Sequence, residues 1–151
     1  MKAILTGLAA LVVLAFAAAI YVRLAPLDAA RFHQPGRAEG PGDVTGLNSF
    51  AAARRITTTP EGVLRALDAV ARAAPRTEVL AGSVEDGRVT YVTRSRLMGY
   101  PDMTTAEVIE TAEGPLLSLR GQSRFGKSDL GVNRARVVAW LAALGPLVEA
   151  P

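Results

Sequence analysis

Cysteine is absent from this 151-residue sequence, and histidine occurs only once, as His33. Metal sites in proteins are built mainly from cysteine, histidine and carboxylate ligands. A single imidazole without any thiol therefore predicts no metal site, and we interpret His33 as a surface residue. The missing cysteine also removes the usual redox indication of the cellular compartment. We expect no cofactor.

Aromatic residues make up only 5% of the chain, and lysine occurs twice, so that 15 of the 17 basic residues are arginine. The basic residues form no block and few rings are available to stack on bases, which argues against a nucleic-acid-binding surface. The formal net charge is +3. Because arginine binds phosphate and carboxylate groups bidentately, an anion-binding surface is one explanation of the excess. A compositional preference for arginine along the whole chain is the other, and we favour it.

Charge is missing altogether from Ala3–Val22, AILTGLAALVVLAFAAAIYV. At about 1.5 Å per residue, a helix of this length matches the ~30 Å hydrocarbon core of a bilayer. Tyr21 and Arg23 at its end suit the membrane–water boundary. A cleaved secretory signal, with its site at Ala15–Ala17, is the alternative, but the apolar run continues beyond that site. We predict a transmembrane anchor over residues 1–24 rather than a signal or a buried soluble helix.

The orientation of this helix is not settled by charge. Lys2 precedes the apolar run, whereas Arg23, Arg31 and Arg37 follow it. A count of cations would place the C-terminal part in the cytoplasm. A single basic residue followed by an apolar run is the layout of a secretory signal, which favours the opposite side.

Residues 25–48 include the segment PGRAEGPGDVTG, Pro35–Gly46, whose glycine and proline content predicts a linker. Residues 49–151 should form a domain of the α+β class. Its predicted elements are a strand at 55–58, a helix capped by Thr59 and ended by Pro75, strands at 78–84, 88–97, 104–111 and 116–123, and a helix at 134–144 capped by Asn133. Hairpins join the later strands in pairs. The β-α-β-β-β-β-α order therefore predicts a two-layer sandwich with an antiparallel sheet covered on one face by two helices.

Gly121–Ser128, GQSRFGKS, matches the pattern of a nucleotide phosphate-binding loop. In such loops a helix begins at the Lys-Ser end. Here Gly131 and the β-branched Val132 follow, which are poor residues for a first helical turn. Strands joined by hairpins also lack the parallel crossovers of nucleotide-binding folds. We therefore reject an ATPase and expect no bound nucleotide.

Two segments resemble a known family. TRSRLMGYPD (Thr93–Asp102) and SRFGKSDLGVNRARV (Ser123–Val137) are similar to an uncharacterised bacterial and chloroplast family, the domain of unknown function fourteen-ninety-nine. The resemblance spans Ile56–Leu144, and YVRLAP (Tyr21–Pro26) resembles the end of the anchor in some bacterial members. It implies a membrane-attached or lumenal domain outside the cytosol, without an established activity. On this resemblance we predict an inner-membrane, single-pass protein with a periplasmic C-terminal domain.

Arginines alternate with apolar residues in two of the predicted strands. The period of two places Arg94, Arg96 and Arg124, together with Glu107, on the outer face of the sheet. The apolar set expected to face the helices is Val89, Tyr91, Leu97, Leu117, Leu119 and Phe125. Cross-strand ion pairs on a solvated face, each contributing up to about 1 kcal/mol, are one interpretation, and we favour it. The other is an anion site for a lipid headgroup, a cell-wall fragment or the carboxylates of a protein partner.

Asp129 is predicted to pair with Arg134 or Arg136 and so to fix the SDLGVN turn, with Gly126 and Gly131 supplying unusual backbone angles. Serine nucleophiles are not expected, because no histidine base is near them in the sequence. Trp140 is predicted to lie in the core or at its rim. The candidate ligand-binding residues are Arg94, Arg96, Ser123, Arg124, Asp129, Asn133 and Arg134.

Three functions remain open at this point. The first is a membrane-anchored periplasmic domain that binds a partner protein or an anionic ligand. The second is a hydrolase or transferase using Arg94, Arg96, Arg124 and Asp129. The third is a carrier that holds a lipid or another apolar ligand between sheet and helix. We favour the first.

Overall fold

Six strands form one antiparallel sheet in the order β1-β2-β6-β5-β4-β3. The computed structural model describes residues 1–36 and 38–150; Arg37, counted above for the topology, and Pro151 lie outside them. The strands are β1 Gly42–Thr45, β2 Ser49–Arg55, β3 Thr77–Ser83, β4 Arg88–Arg94, β5 Pro101–Ile109 and β6 Leu116–Ser123. The helices are α1 Lys2–Leu24, α2 Ala29–Phe32, α3 Pro60–Ala73 and α4 Val132–Ala143, with a 3₁₀ turn at Gly145–Leu147. The predicted α+β class with an antiparallel sheet is confirmed.

Strand β2 differs from the prediction. Only Arg55 of the predicted strand at 55–58 belongs to β2, and Ile56 continues it as a single bridge to Val148. The observed β2 runs back to Ser49 through three alanines, and it pairs with β1 on one side and β6 on the other. Alanine has low strand propensity, so pairing on both sides decides this conformation rather than local preference.

Helix α3 begins where its capping residues predict. Thr59 Oγ1 accepts a hydrogen bond from the Gly62 N–H at 3.1 Å, Pro60 occupies the first turn, and Glu61 supplies an acidic group there. One stripe of the helix faces the sheet, and its buried members are Val63, Leu64, Leu67 and Ala71. These contacts confirm the amphipathic helix read from the sequence.

Helices α3 and α4 cover the same face of the sheet and enclose the main core with it. Trp140 of α4 packs edge-on against Tyr91 of β4, with ring centroids 5.6 Å apart. The Tyr91 hydroxyl donates to Asp68 Oδ1 on α3 at 2.9 Å, so one side chain joins both helices to the sheet. Trp140 is buried, which confirms its prediction as a core residue.

The opposite face of the sheet carries α2, within the residues predicted as a linker. Phe32 is buried with Val92 and Met103, and the Thr105 hydroxyl donates to the Phe32 carbonyl oxygen at 3.0 Å. His33 is half-buried, and its Nδ1 lies 2.9 Å from the Thr90 hydroxyl, so it is not a free surface residue. The sequence missed α2 because its stabilising contacts are with residues distant in the chain. It missed β1 because glycine and proline dominate that segment, although β1 pairs with the neighbouring strand β2. The domain boundary at residue 48 stays a prediction.

Helix α1 extends away from the domain, and none of its apolar window is buried. Its length and composition are sufficient to span a membrane, a property that a secretory signal near the N-terminus shares. Its last turn does contact the domain, because Val22 and the following Ala25 are buried.

Candidate functional site

One end of the sheet lies next to the C-terminus of α1. In an antiparallel sheet, connections alternate between the two ends, so the segments at 46–48, 74–76, 95–100 and 124–131 all meet at this end. We call these segments, with the last turn of α1, the anchor-proximal end. Most candidate residues predicted from the sequence lie here.

A cavity of about 300 Å³ opens at the anchor-proximal end. We call it the arginine pocket. Its lining residues are Arg23, Arg76, Glu78, Val92, Arg94, Ser95, Arg96 and Gly99. Glu78 is thus the single acid among four arginines in this lining. The pocket has the charge and the donor geometry to bind a phosphate or carboxylate group.

Backbone carbonyl groups orient three of these arginines. Arg23 Nη2 donates to the Leu97 carbonyl oxygen at 2.7 Å, and Arg94 Nη1 donates to that of Gly99 at 3.1 Å. Arg76 Nε donates to the carbonyl oxygen of Arg94 at 3.0 Å. Each guanidinium has five N–H donors, so these contacts fix the side chains without using up their donors. None of the ion pairs within residues 1–36 and 38–150 involves the four pocket arginines.

The predicted placement of Arg96 and Leu97 in a strand is wrong. Strand β4 ends at Arg94, and Arg96 and Leu97 lie in the following turn, where Leu97 is 82% exposed instead of facing the helices. The strand ends because Ser95 closes a turn across to Tyr100: its N–H donates to the Tyr100 carbonyl oxygen at 2.9 Å, and its hydroxyl accepts from the Tyr100 N–H at 3.0 Å.

Arg124 lies away from the arginine pocket, at the junction with α1. Its Nη1 donates to the Ala25 carbonyl oxygen at 3.0 Å, and its Cζ lies 4.9 Å from the centroid of the Phe125 ring. Phe125 was predicted to face α3 and α4, but it packs instead edge-on against Tyr21 at 6.3 Å and Tyr100 at 6.0 Å. These contacts join α1 to two loops of the domain.

The outer face does carry a cross-strand ion pair, as the favoured interpretation predicts, but with another arginine. Arg88 Nε lies 2.8 Å from Glu107 Oε2, on neighbouring strands. The sequence reading had grouped Glu107 with the arginines at the other end of the sheet. Arg94 and Arg96 are therefore free of this carboxylate.

A buried polar network joins α4 to the end of the sheet. Ser123 Oγ donates to Asp102 Oδ1 at 2.6 Å, and Asn133 Nδ2 donates to Ser123 Oγ at 3.0 Å. Arg136 closes the network: Nη1 donates to Asn133 Oδ1 at 2.9 Å and Nη2 to Asp102 Oδ2 at 3.0 Å. Asn133 approaches β6 closely, since a Cβ on Gly121 would lie 3.0 Å from its Cβ. The long sequence motif thus builds this junction.

Asp129 organises the loop before α4, as predicted, but not through an ion pair. Its carboxylate accepts hydrogen bonds from the N–H groups of Gly131 and Asn133, both at 3.0 Å, and from Asn133 Nδ2 at 2.8 Å. Partial burial acts to raise the pKa of Asp129, but these hydrogen bonds outweigh it and hold the pKa below its ordinary value. The predicted pairing with Arg134 or Arg136 is wrong, because Arg136 binds Asp102 and the Cζ of Arg134 lies 5.8 Å from the Phe50 ring centroid.

The predicted cap of α4 also needs correction. Gly131, with φ +81°, occupies the N-cap position, and the helix begins at Val132. Asn133 lies inside the first turn and is fully buried. Leu130, which precedes the N-cap residue Gly131, has φ +52° and is 93% exposed. A left-handed conformation costs a residue with a Cβ about 1–2 kcal/mol, and this leucine gains no packing within the domain in return.

The loop that matches the phosphate-binding pattern is not built for that purpose. Helix α4 begins four residues after Ser128, and every strand pair of the sheet is antiparallel. The Ser128 hydroxyl accepts from the Leu130 N–H at 3.3 Å, so it stabilises the turn. The hydroxyl groups of Ser95, Ser123 and Ser128 each make hydrogen bonds within the domain.

A larger cavity, of about 610 Å³, lies between residues 35–46 and strands β2 and β6. Small side chains and backbone line most of it, with Glu39, Asp43 and Arg120 as charged lining residues. Arg37 lies outside the described residues. We place the candidate site at the arginine pocket because four arginines line it.

The structure brings together some of the predicted site residues and separates others. Arg94 and Arg96 share the pocket; Ser123, Asp129 and Asn133 share the polar network. Arg124 and Arg134 make separate contacts. The sequence reading missed Arg23 and Arg76 as pocket residues, since the positive φ of Arg76, +58°, and its contact with β4 leave no local signal in the sequence.

Comparison with known proteins gives one family and a few similar solved structures, two of which are described here. The family model described as "Protein of unknown function (DUF1499)" matches residues 31–144. No curated protein matches the chain. Protein CV1439 from Chromobacterium violaceum is 20% identical, with 66% of this chain and 94% of that chain covered and a TM-score of 0.45. Protein MLL2253 from Mesorhizobium loti is 15% identical, with 64% and 93% covered and a TM-score of 0.46. Similarities at this level carry no argument about the site.

Proposed function

Because this chain belongs to the DUF1499 family, whose function is unknown, we propose its function from its own geometry: it is a membrane-anchored domain that binds a phosphate- or carboxylate-bearing ligand in the arginine pocket. The family recognised from the sequence motifs is thereby confirmed. In this proposal α1 spans the inner membrane once, and the domain stands in the periplasm.

Two observations support the anchor. The apolar side chains of α1 are exposed along the helix, and a soluble domain would not hold so large an apolar surface in water without a partner. Tyr21 and Arg23 lie where the helix meets the domain, a position that suits the membrane–water boundary. The periplasmic side rests on the family resemblance and on the signal-like order of Lys2 and the apolar run. The count of cations argues for the opposite side, and labelling of an exposed cysteine in intact cells distinguishes the two orientations.

The single observation that carries the ligand proposal is the pocket itself. Four arginines converge on one cavity with one glutamate, and backbone carbonyl groups preorganise three of them. Hydrogen bonds to charged groups contribute about 1.5–3 kcal/mol each, so two arginines on one anion can support a weak but specific site. A partner protein could supply that anion as a carboxylate side chain.

The two alternative functions have less support. The residues of the proposed hydrolase or transferase do not converge, because Arg124 binds the end of α1 and the Asp129 carboxylate is engaged by Gly131 and Asn133. The carrier would hold its ligand between sheet and helices, where Leu67, Tyr91 and Trp140 form a filled core.

The ligand proposal is tested by calorimetric titration of the full-length protein in a neutral detergent. The probes are glycerol 3-phosphate and succinate, with glycerol as the uncharged control. We expect Arg94→Ala with Arg96→Ala to weaken binding of an anionic probe at least about tenfold, or about 1.4 kcal/mol.

The matched control removes the same charge elsewhere. Arg65→Ala with Arg72→Ala deletes two exposed arginines of α3 that lie outside the pocket. It should leave the affinity unchanged. Equal losses in the two double variants, or no heat with either anion, would contradict the pocket as the site.

A further inference from the structure

The exposed apolar side chains of the domain gather at one end. Outside α1, the three most exposed large apolar residues in the described part of the chain are Leu47, Leu97 and Leu130, at 83%, 82% and 93%. Each lies in a different segment of the anchor-proximal end. Single exposed leucines need no explanation, but three at the loop tips of one end concentrate apolar surface there, and we call these three residues the apolar patch.

Leu130 also has an unusual backbone conformation. It is held in a left-handed conformation that glycine or asparagine would adopt more easily, and its side chain points away from the core. The buried network through Asp129 and Asn133 fixes the backbone on its C-terminal side. The fold therefore holds this leucine exposed at the surface of the domain.

The apolar patch lies at the end of the domain where α1 joins it. The loops at 95–100 and 124–131 contact the last turn of α1, through Arg23 and the Leu97 carbonyl oxygen and through the rings of Tyr21 and Phe125. If Tyr21 marks the boundary of the membrane, these loops lie at the same level. Tyr100 joins the same aromatic group, and such rings prefer the interface between water and lipid.

The loops at 95–100 and 124–131 also carry exposed positive charge. Arg96 and Lys127 are exposed in the same two loops that carry Leu97 and Leu130. Basic residues beside apolar tips complement the negative surface of a membrane that contains anionic phospholipids.

We propose that the loops at 95–100 and 124–131 form a second membrane contact, in which Leu97 and Leu130 enter the interfacial layer while Arg96 and Lys127 bind anionic phospholipid headgroups. The domain then rests on the bilayer that holds α1 instead of swinging freely above it. The inference depends on the proposed anchor. It shares Arg96 with the arginine pocket, whereas Leu97, Lys127 and Leu130 lie outside the lining of that pocket.

The absence of native cysteine makes a direct test practicable. Leu97→Cys and Leu130→Cys are labelled separately with an environment-sensitive fluorophore in the full-length protein, reconstituted in nanodiscs. Glu85→Cys, an exposed residue in the turn between β3 and β4 at the opposite end of the sheet, is the matched control. The discs contain phosphatidylcholine alone or with phosphatidylglycerol, and a shallow spin-labelled lipid serves as quencher.

We expect a blue shift and lipid quenching at positions 97 and 130, both stronger with phosphatidylglycerol, and neither at position 85. Arg96→Ala with Lys127→Ala should remove the increase that phosphatidylglycerol causes. Labels at 97 and 130 that are as exposed as that at 85 would overturn the proposal. So would a blue shift without lipid quenching, because that result assigns the patch to a protein partner or a second copy of the chain.

Two further results separate this inference from the proposed function. Release of the protein from the discs by alkaline carbonate would show that the anchor itself is absent. If the full-length protein binds no anion in the calorimetric titration but shows lipid quenching at positions 97 and 130, the pocket ligand is excluded and the membrane contact is still supported. Should the variant at position 130 fail to fold, position 97, in an independent turn, decides the question.

Discussion

Removal of the Asp102 carboxylate should destabilise the domain more than removal of any exposed acid. The Asp102 and Arg136 side chains are only 12% and 11% exposed, and Asp102 also accepts the hydrogen bond of Ser123. Asp102→Ala therefore leaves a nearly buried guanidinium without its carboxylate and a buried hydroxyl without its acceptor. Breaking a buried pair in this way costs about 3–5 kcal/mol.

The matched control is Glu61→Ala. Glu61 also pairs with an arginine, Arg65, but the two side chains are 68% and 64% exposed. Exposed pairs contribute at most about 1 kcal/mol, because solvent screens them. The comparison separates the effect of burial from that of losing one acid and one ion pair.

The assay is urea unfolding of the full-length protein in a neutral detergent, followed by the fluorescence of Trp140, which is the only tryptophan of the chain and is buried against Tyr91. With a slope of about 1–3 kcal/mol per molar urea, Asp102→Ala should lower the unfolding midpoint by about 1 M or more. The control should shift it by a fraction of that. Equal shifts would refute the assignment of the network as the junction between α4 and the sheet.

Three further predictions follow from the same end of the domain. The pKa of folded Asp129 lies below its ordinary value of 3.8. Its ionised form therefore stabilises the fold fully above about pH 4, and this contribution is lost as the pH falls through the lowered pKa. Asp129→Asn should reduce the dependence of the free energy of unfolding on pH in this acid range. Gly121→Ala would bring a Cβ to 3.0 Å from Asn133 and should cost about 1–3 kcal/mol in the same urea assay, unlike Gly40→Ala, which meets no atom within 4 Å. Leu130→Asn should raise the free energy of unfolding by about 1 kcal/mol, since asparagine tolerates the left-handed conformation, while it weakens lipid quenching at position 97; a loss of stability would contradict the strain.

Features encoded by neighbouring residues could be predicted from the sequence. Thr59, Pro60 and Glu61 fix the start of α3 through the first turn alone. The turn between β3 and β4 ends on Gly87, whose φ of +73° needs glycine, and this hairpin was predicted with its turn in place. In both cases the signal and the structure lie within a few residues.

Features that depend on distant contacts could not be predicted. Strand β2 contains three consecutive alanines and becomes a strand because β1 and β6 pair with it. Asn133 was predicted as a helix cap, yet its side chain is buried in the polar network, since only the absence of a side chain at Gly121 makes room for it. The arginine pocket joins Arg23 of α1 with Arg76 and Arg94, and no local pattern shows that these residues meet.

The membrane topology of the Glu85→Cys variant in intact cells tests most directly whether α1 anchors a periplasmic domain. Glu85 is exposed at the end of the domain away from α1, and the chain has no other cysteine. With the outer membrane permeabilised and the inner membrane intact, a membrane-impermeant maleimide should label the protein, and alkaline carbonate should leave it in the membrane pellet. Labelling only after lysis of the inner membrane, or release by carbonate, would contradict a periplasmic domain held by α1.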